Sequence, residues 1–289
     1  MNDWKEWSQN MLITVFSVSI VVCVCGCAAQ QRRLLYYPTK LPPEASAQEA
    51  TQSGFIPWKS DSGQIIGWEI PATGVSVGSV LIVHGNAGCA VNRAYLARPI
   101  HEAMNVDVFV LEYPGYGARA GTPSKKNFDA AAEEAFRLLP PNAPKYIVSE
   151  SIGTGAACDL AKDHPDEIAG MALLAPYHNL ASVAQHTIWF LPVYFILIDR
   201  FNPEKSLESY HGPVKFAVAG KDETVGTASG IRLFKSYTGP KDLQLIAGAH
   251  HNDVAEQMPD WWKNVFSFWK ENQTAGPGTS ETKRGNEWL

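Results

Sequence analysis

The stretch Ser149-Glu150-Ser151-Ile152-Gly153 constrains this chain most, because an apolar strand runs into it and a helix of small residues runs out of it. A serine on a tight turn between strand and helix has its Oγ pushed out at the top of a sheet, where a substrate carbonyl can reach it. Such a turn demands small residues two positions before and two after the serine. Gly153 meets that demand, and Ser149 stands where a glycine is usual, adding only CH2OH to the turn. The five residues alone are weak evidence, since a serine between strand and helix is more often an N-cap than a nucleophile. Their neighbours in the sequence decide the matter.

Three further segments fall where an acyl-transfer site built on that turn needs them. Ser79 to Val83 is a short apolar run that feeds His84-Gly85-Asn86-Ala87-Gly88, a strand followed by a glycine-rich loop. Such a loop can aim a backbone N–H at a developing oxyanion. The expected donors are the N–H of Asn86 and that of Ile152, the residue after the serine, neither depending on its side chain. Val214 to Ala219 reads as a buried strand leading into Gly220-Lys221-Asp222, which makes Asp222 the candidate acid. A last strand, Leu243 to Ala247, leads to Gly248-Ala249-His250-His251-Asn252-Asp253, where one of two histidines is the candidate base.

Ser, then Asp, then His, each just past the end of a strand, is the order of an alpha/beta-hydrolase triad. The chain resembles the alpha/beta-hydrolase superfamily, and within it the membrane-associated serine hydrolases related to the Bem46 group. The resemblance rests on Leu34-Leu35-Tyr36-Tyr37-Pro38, His84-Gly85-Asn86-Ala87-Gly88, Glu112-Tyr113-Pro114-Gly115-Tyr116-Gly117, Glu150-Ser151-Ile152-Gly153, Gly220-Lys221-Asp222 and His251-Asn252-Asp253. It implies that His251 is the base and that His250 replaces the family's glycine; a slip of one residue would exchange the two.

The implied chemistry is ester or thioester cleavage without metal or organic cofactor. His251 takes the proton of Ser151 as the hydroxyl attacks an acyl carbonyl and returns it to the leaving group, while Asp222 fixes the imidazole tautomer. Histidine suits both steps because its ordinary pKa is about 6.5. Other readings stay open at this point. Asp222 with Thr224 can cap a helix starting near Thr227, and His250, His251 and Asp253 can be metal ligands, although no second ligand cluster completes a site. Glu112 and His84 read as anchors that tie down their loops. A peptidase or amidase on the same triad, or a catalytically silent binding module, are the competing functions.

Met11 to Ala29 is an almost continuous apolar stretch, just long enough for a hydrocarbon core of about 30 Å. It ends in Val24-Cys25-Gly26-Cys27, which resembles the lipobox of bacterial lipoproteins with Cys27 lipidated. The flank before it, with Asp3, Lys5 and Glu6, is a poor signal-peptide charge pattern. Arg32 and Arg33 after the run fit an uncleaved anchor of the opposite orientation. The expectation is membrane attachment in the bacterial cell envelope. Three of the five cysteines lie in this segment; Cys89 and Cys158 read as free, partly buried small residues.

The expected organisation is a signal or anchor over 1–27, a spacer over 28–52 that stands the domain off the bilayer, and a hydrolase domain over 53–271. Tyr36-Tyr37-Pro38 is expected to dock back on the domain. A disordered tail follows over 272–289. The fold class is α/β: an eight-stranded, mostly parallel sheet with helices on both faces, entered by a hairpin of Phe55 to Trp58 and Ile65 to Ile70. A short cap insertion is expected at about 178–206, containing the apolar run Ile188 to Ile198. That run is either ordinary core or the wall of an acyl pocket touching a membrane surface. The charge balance of −5, with no basic stripe, makes nucleic acid an unsuited partner. The partners expected are a small-molecule or lipid ester and, through the N-terminus, a membrane.

Overall fold

The longest β-branched and apolar runs become the centre of one eight-stranded sheet in the computed structural model, which describes residues 28–187, 189, 192–256 and 260–273. β3 (Ser79–Val83) and β7 (Val214–Ala219) are buried along their whole length, and β5 (Lys145–Glu150) and β6 (Ile168–Leu174) over most of theirs. Strands covered on both faces carry continuous apolar runs instead of alternation. β4 (Asp107–Leu111) lies beside β3, while β1 (Ile56–Lys59) and β8 (Lys241–Ile246) are edges with exposed positions. The order is β1-β2-β4-β3-β5-β6-β7-β8, with β2 (Ile65–Ile70) antiparallel to both its neighbours and all other pairs parallel.

The chain leaves β3 for β4 on one side and returns to form β5 on the other, so the loops after β3 and β5 part in opposite directions. A crevice opens at that point, where ligands bind in open α/β sheets. The helices α3 (Ala94–Met104) and α10 (Trp261–Gln273) pack together on one face. On the other lie α4 (Lys125–Arg137), α5 (Gly153–Asp163) and α9 (Thr227–Ser236). Small residues suit α5 because it is wedged against the sheet and the cap: a Cβ at Gly155 would overlap the Phe201 ring. Between β6 and β7 the described residues include the short α-helices α6 (Leu180–Thr187), α7 (Val193–Ile196) and α8 (Pro203–Ser206).

The expected spacer is folded instead. Residues 28–35 form a helix, α1, and Pro43–Gln52 forms α2. Between them Pro38 bridges to Gly88 and Lys40 to Gly117. Tyr36 is buried with its ring 5.0 Å from that of Phe128. The composition is polar, but a few aromatic and backbone contacts suffice to bind the segment down. The anchor stretch and Cys27 lie outside the described residues, as does the tail from 274; α10 runs two residues into the expected tail. Among the described residues no helix is long and apolar enough to cross a membrane.

Candidate active site

Ser151 leaves β5 with φ at +51°, one of three non-glycine residues among those described with positive φ. A non-glycine residue reaches this left-handed region only when its surroundings hold it there. Two hydrogen bonds do so: the Ser151 N–H donates to the Leu174 carbonyl and the Thr154 N–H to the Ser151 carbonyl, both at 2.9 Å. Gly153 is obligatory, because a Cβ there would overlap the Val83 carbonyl oxygen. Ser149 is still inside β5 and fully buried, one position before Glu150.

The structure brings Ser151, His251 and Asp222 into one row. Ser151 Oγ lies 2.8 Å from His251 Nε2, and His251 Nδ1 lies 2.8 Å from Asp222 Oδ2. An ionised carboxylate only accepts, so Nδ1 carries the proton and Nε2 is left to accept from the serine hydroxyl. The second Asp222 oxygen accepts the N–H groups of Thr224 at 2.9 Å and Val225 at 2.8 Å. Thus the capping turn and the histidine contact coexist, one on each oxygen. Burial would raise the Asp222 carboxyl, but the His251 hydrogen bond and charge and the two backbone donors outweigh it and hold it below its ordinary value. His250 faces away, 3.2 Å from Glu223 at the surface. Neither residue that replaces a glycine therefore obstructs the row. Among the described residues no group of three or more His, Cys, Asp or Glu could hold a metal ion.

The loop after β3 hangs beside the serine, and its fixing involves a side chain the sequence reading left out. Asn86 Oδ1 accepts from the Tyr37 N–H and the Tyr116 hydroxyl, both at 3.1 Å, while its amide nitrogen donates to the Leu35 carbonyl at 2.6 Å. The donor expected at Asn86 is its backbone N–H, and the Asn86 amide ties the loop that carries it to residues 35–37. The backbone N–H groups of Asn86 and Ile152 have no acceptor among the described residues. Below the loop, Glu112 accepts the Ala90 N–H at 3.1 Å and fills the space a side chain at Gly117 would need. His84 is buried, its Nδ1 2.7 Å from the Gly85 carbonyl.

Glu150 is the functional neighbour that the sequence analysis treated only as part of a motif. Its carboxylate accepts the Gly85 N–H at 3.1 Å, bonds the Tyr95 hydroxyl and sits 3.0 Å from the Arg93 guanidinium. It thereby joins the residue preceding Ser151 to the loop that carries Asn86. Burial acts to raise its carboxyl; the Arg93 charge and the Tyr95 and Gly85 hydrogen bonds overcome this and lower it. Cys89, behind the loop, is buried and its thiol is pushed up to about 12, so it is chemically quiet.

Ser151 and His251 open into a cleft of about 840 Å³. Its wall beyond the serine is apolar: Leu34 and Leu35 from α1 and its end, Leu180, Val183 and Ala184 from α6, and Val193, Ile196 and Leu197 around α7. Of the apolar run Ile188 to Ile198, Val193 and Leu197 are buried and Trp189, Tyr194, Ile196 and Ile198 exposed; Ile188, Phe190 and Leu191 lie outside the described residues. A sheet of this topology with a strained serine at the carboxyl end of β5 defines an alpha/beta-hydrolase architecture.

Known proteins agree with that class. The family description "alpha/beta hydrolase fold" matches residues 78–200. The uncharacterized protein Rv2307c of Mycobacterium tuberculosis is 34% identical over 233 residues, covering 78% of this chain and 82% of that protein. Human alpha/beta hydrolase domain-containing protein 17B is 29% identical over 187 residues, 61% of each chain. Among solved structures, the Pyrococcus furiosus esterase Pf2001 superposes with a TM-score of 0.60 at 15% identity, covering 82% of this chain and 99% of that one. Est1E from Butyrivibrio proteoclasticus, with ferulic acid bound, gives 0.59 at 16% identity over 71% and 95%. The chain belongs to the alpha/beta hydrolase superfamily.

Proposed function

We propose that this protein is a serine hydrolase that cleaves carboxylic ester or thioester bonds of acyl or lipid-like substrates through an acyl-enzyme. The observation that carries the reading is the row Ser151, His251, Asp222, with 2.8 Å at each link, at the floor of an apolar cleft. Ser151 Oγ attacks the acyl carbon while His251 Nε2 takes its proton; the carbonyl oxygen gathers negative charge and is met by the N–H groups of Asn86 and Ile152. The bond to the leaving group breaks as His251 protonates the departing alcohol or thiol. Water then attacks the acyl-Ser151 ester with His251 again as base, releasing the acid and restoring the hydroxyl. Asp222 keeps Nδ1 protonated throughout and stabilises the imidazolium.

The apolar wall supports an acyl chain over a polar or charged substrate. The same reading includes membrane attachment through the N-terminus, lipidation at Cys27 in a bacterial envelope, and kinship with the Bem46 group. Supporting it is the apolar run Met11 to Ala29, which carries Gly26-Cys27 near its end.

A fluorophosphonate probe tests the chemistry directly. It should label the folded wild-type protein and the His250→Ala variant, and fail to label Ser151→Ala and His251→Ala. Folded wild-type protein that resists the probe would leave the silent binding module as the better account. For the anchor, Cys27→Ala should lose lipid incorporation and its altered gel mobility; an unchanged pattern removes lipidation at that residue.

A further inference from the structure

Among the described residues twelve large hydrophobic side chains are exposed, and they are not scattered evenly. Six of them, Leu34, Tyr37, Trp189, Tyr194, Ile196 and Ile198, lie on only two segments, with exposures from 41% for Ile198 to 80% for Trp189. The segments are distant in sequence and stitched together in space. The Gln31 side chain donates to the Ile196 carbonyl at 3.0 Å and accepts the Ile198 N–H at 3.0 Å. Arg32 makes two hydrogen bonds to Asp199, at 2.9 and 3.1 Å, and the Tyr36 hydroxyl adds a third at 3.1 Å. Three of the six residues, Leu34, Tyr37 and Ile196, also line the cleft, together with Gln31, so its largely apolar wall reaches the exposed rim.

Chain connectivity says what covers this rim. The apolar run Met11 to Ala29 ends on the same helix that carries Gln31 and Arg32. Helical rise is about 1.5 Å per residue, so Ala29 and Gln31 are separated by only about 3 Å along the axis. An anchor entering lipid at that point leaves no slack between the bilayer and the mouth of the cleft. The residue types agree: Trp and Tyr favour the boundary between headgroups and acyl chains, and exposed Arg33 beside them is attracted to anionic headgroups.

We propose that this rim seats in the headgroup region of a lipid bilayer, so that the cleft opens to the membrane and an acyl chain passes from bilayer to Ser151 without crossing water. The inference rests on membrane attachment and on Ser151 as nucleophile, and two measurements keep those apart. In the first, the full-length protein is reconstituted in phosphatidylcholine–phosphatidylglycerol vesicles, and the emission of Trp189 is isolated as the difference between wild type and Trp189→Phe. Lipids brominated near the top of the acyl chain should quench this component, and aqueous iodide should not. A component open to iodide and untouched by bromolipid overturns the docking, whatever the enzyme does. In the second, the double variant Trp189→Asp, Ile198→Asp should turn over a long-chain ester embedded in vesicles about tenfold more slowly, because interfacial binding scales with buried apolar surface. A short water-soluble ester should be hydrolysed at the wild-type rate. Equal losses on both substrates count against docking; a wild type inactive on both sinks the hydrolase reading and leaves the quenching result to decide the rim.

Discussion

The floor of the cleft and its rim solve different problems with different materials. At the floor, Ser151, Asp222 and His251 follow the ends of the parallel strands β5, β7 and β8, and most of their polar atoms are committed to named partners. At the rim, α1 and the 193–199 segment are held by a few side-chain bonds from Gln31, Arg32 and Tyr36, and large apolar groups face outward. The floor is rigid because a misplaced reacting atom is costly to rate. The rim can vary in apolar content because it needs only to bind surface.

The sharpest way to break this contrast acts on the floor. Ser151→Ala should lower turnover of any ester by about 10⁴- to 10⁶-fold while leaving thermal unfolding intact. Residual turnover near the wild-type rate would show that the row is not the reacting group. Asn86→Ala comes next: with its ties to Leu35, Tyr37 and Tyr116 gone, the loop should drift and kcat fall by about 10- to 100-fold with KM little changed. Steady-state kinetics on a short ester decide this, and an unchanged kcat would mean the loop is held without Asn86.

At the rim, Asp199→Ala leaves Arg32 and the Tyr36 hydroxyl without their acceptor and should destabilise the protein by about 1–3 kcal/mol. Turnover should fall more for long acyl chains than for short ones; uniform loss across chain length would show that the clamp serves folding alone.

The smallest effect probes the floor by pH. Glu150 and Asp222 both have carboxyls lowered by folding, so each contributes stability above its unfolded pKa that is lost as pH falls through the folded value. The direction is loss of stability on acidification below the ordinary carboxylate range. Denaturant midpoints at descending pH should therefore fall more steeply for wild type than for Glu150→Gln. Parallel curves would show that Arg93, Tyr95 and Gly85 do not favour the ionised form.

The floor was readable in the sequence because its requirements are local. A serine flanked by small residues, an acid after one strand and a histidine after the next are each fixed by the turn that holds them, and strand positions followed from continuous apolar runs. His251 could be told from His250 only by resemblance, since both lie on one loop; the structure separates them by pairing His250 with Glu223. The rim was readable only in part: Tyr36-Tyr37-Pro38 was expected to dock on the domain and Tyr36 is buried there, but its partners were not legible. Its bonds join residues 31 and 32 to residues 196–199, and no pattern in a polar, proline-bearing segment announces a partner more than 160 positions away. The same long-range contacts turned the expected spacer into part of the domain. Glu150 escaped notice for a related reason: its partners Gly85, Arg93 and Tyr95 converge only once β3 lies beside β5.

The left-handed backbone of Ser151 carries a last consequence. L-residues other than glycine resist that conformation by about 1–2 kcal/mol, so the nucleophile sits where the chain is bent against its own preference. A glycine at that position would relax the bend and forfeit the hydroxyl together. Reactivity and repose are therefore opposed at a single atom of the backbone, and a dead variant that outlives its parent on heating would be the visible sign of that opposition.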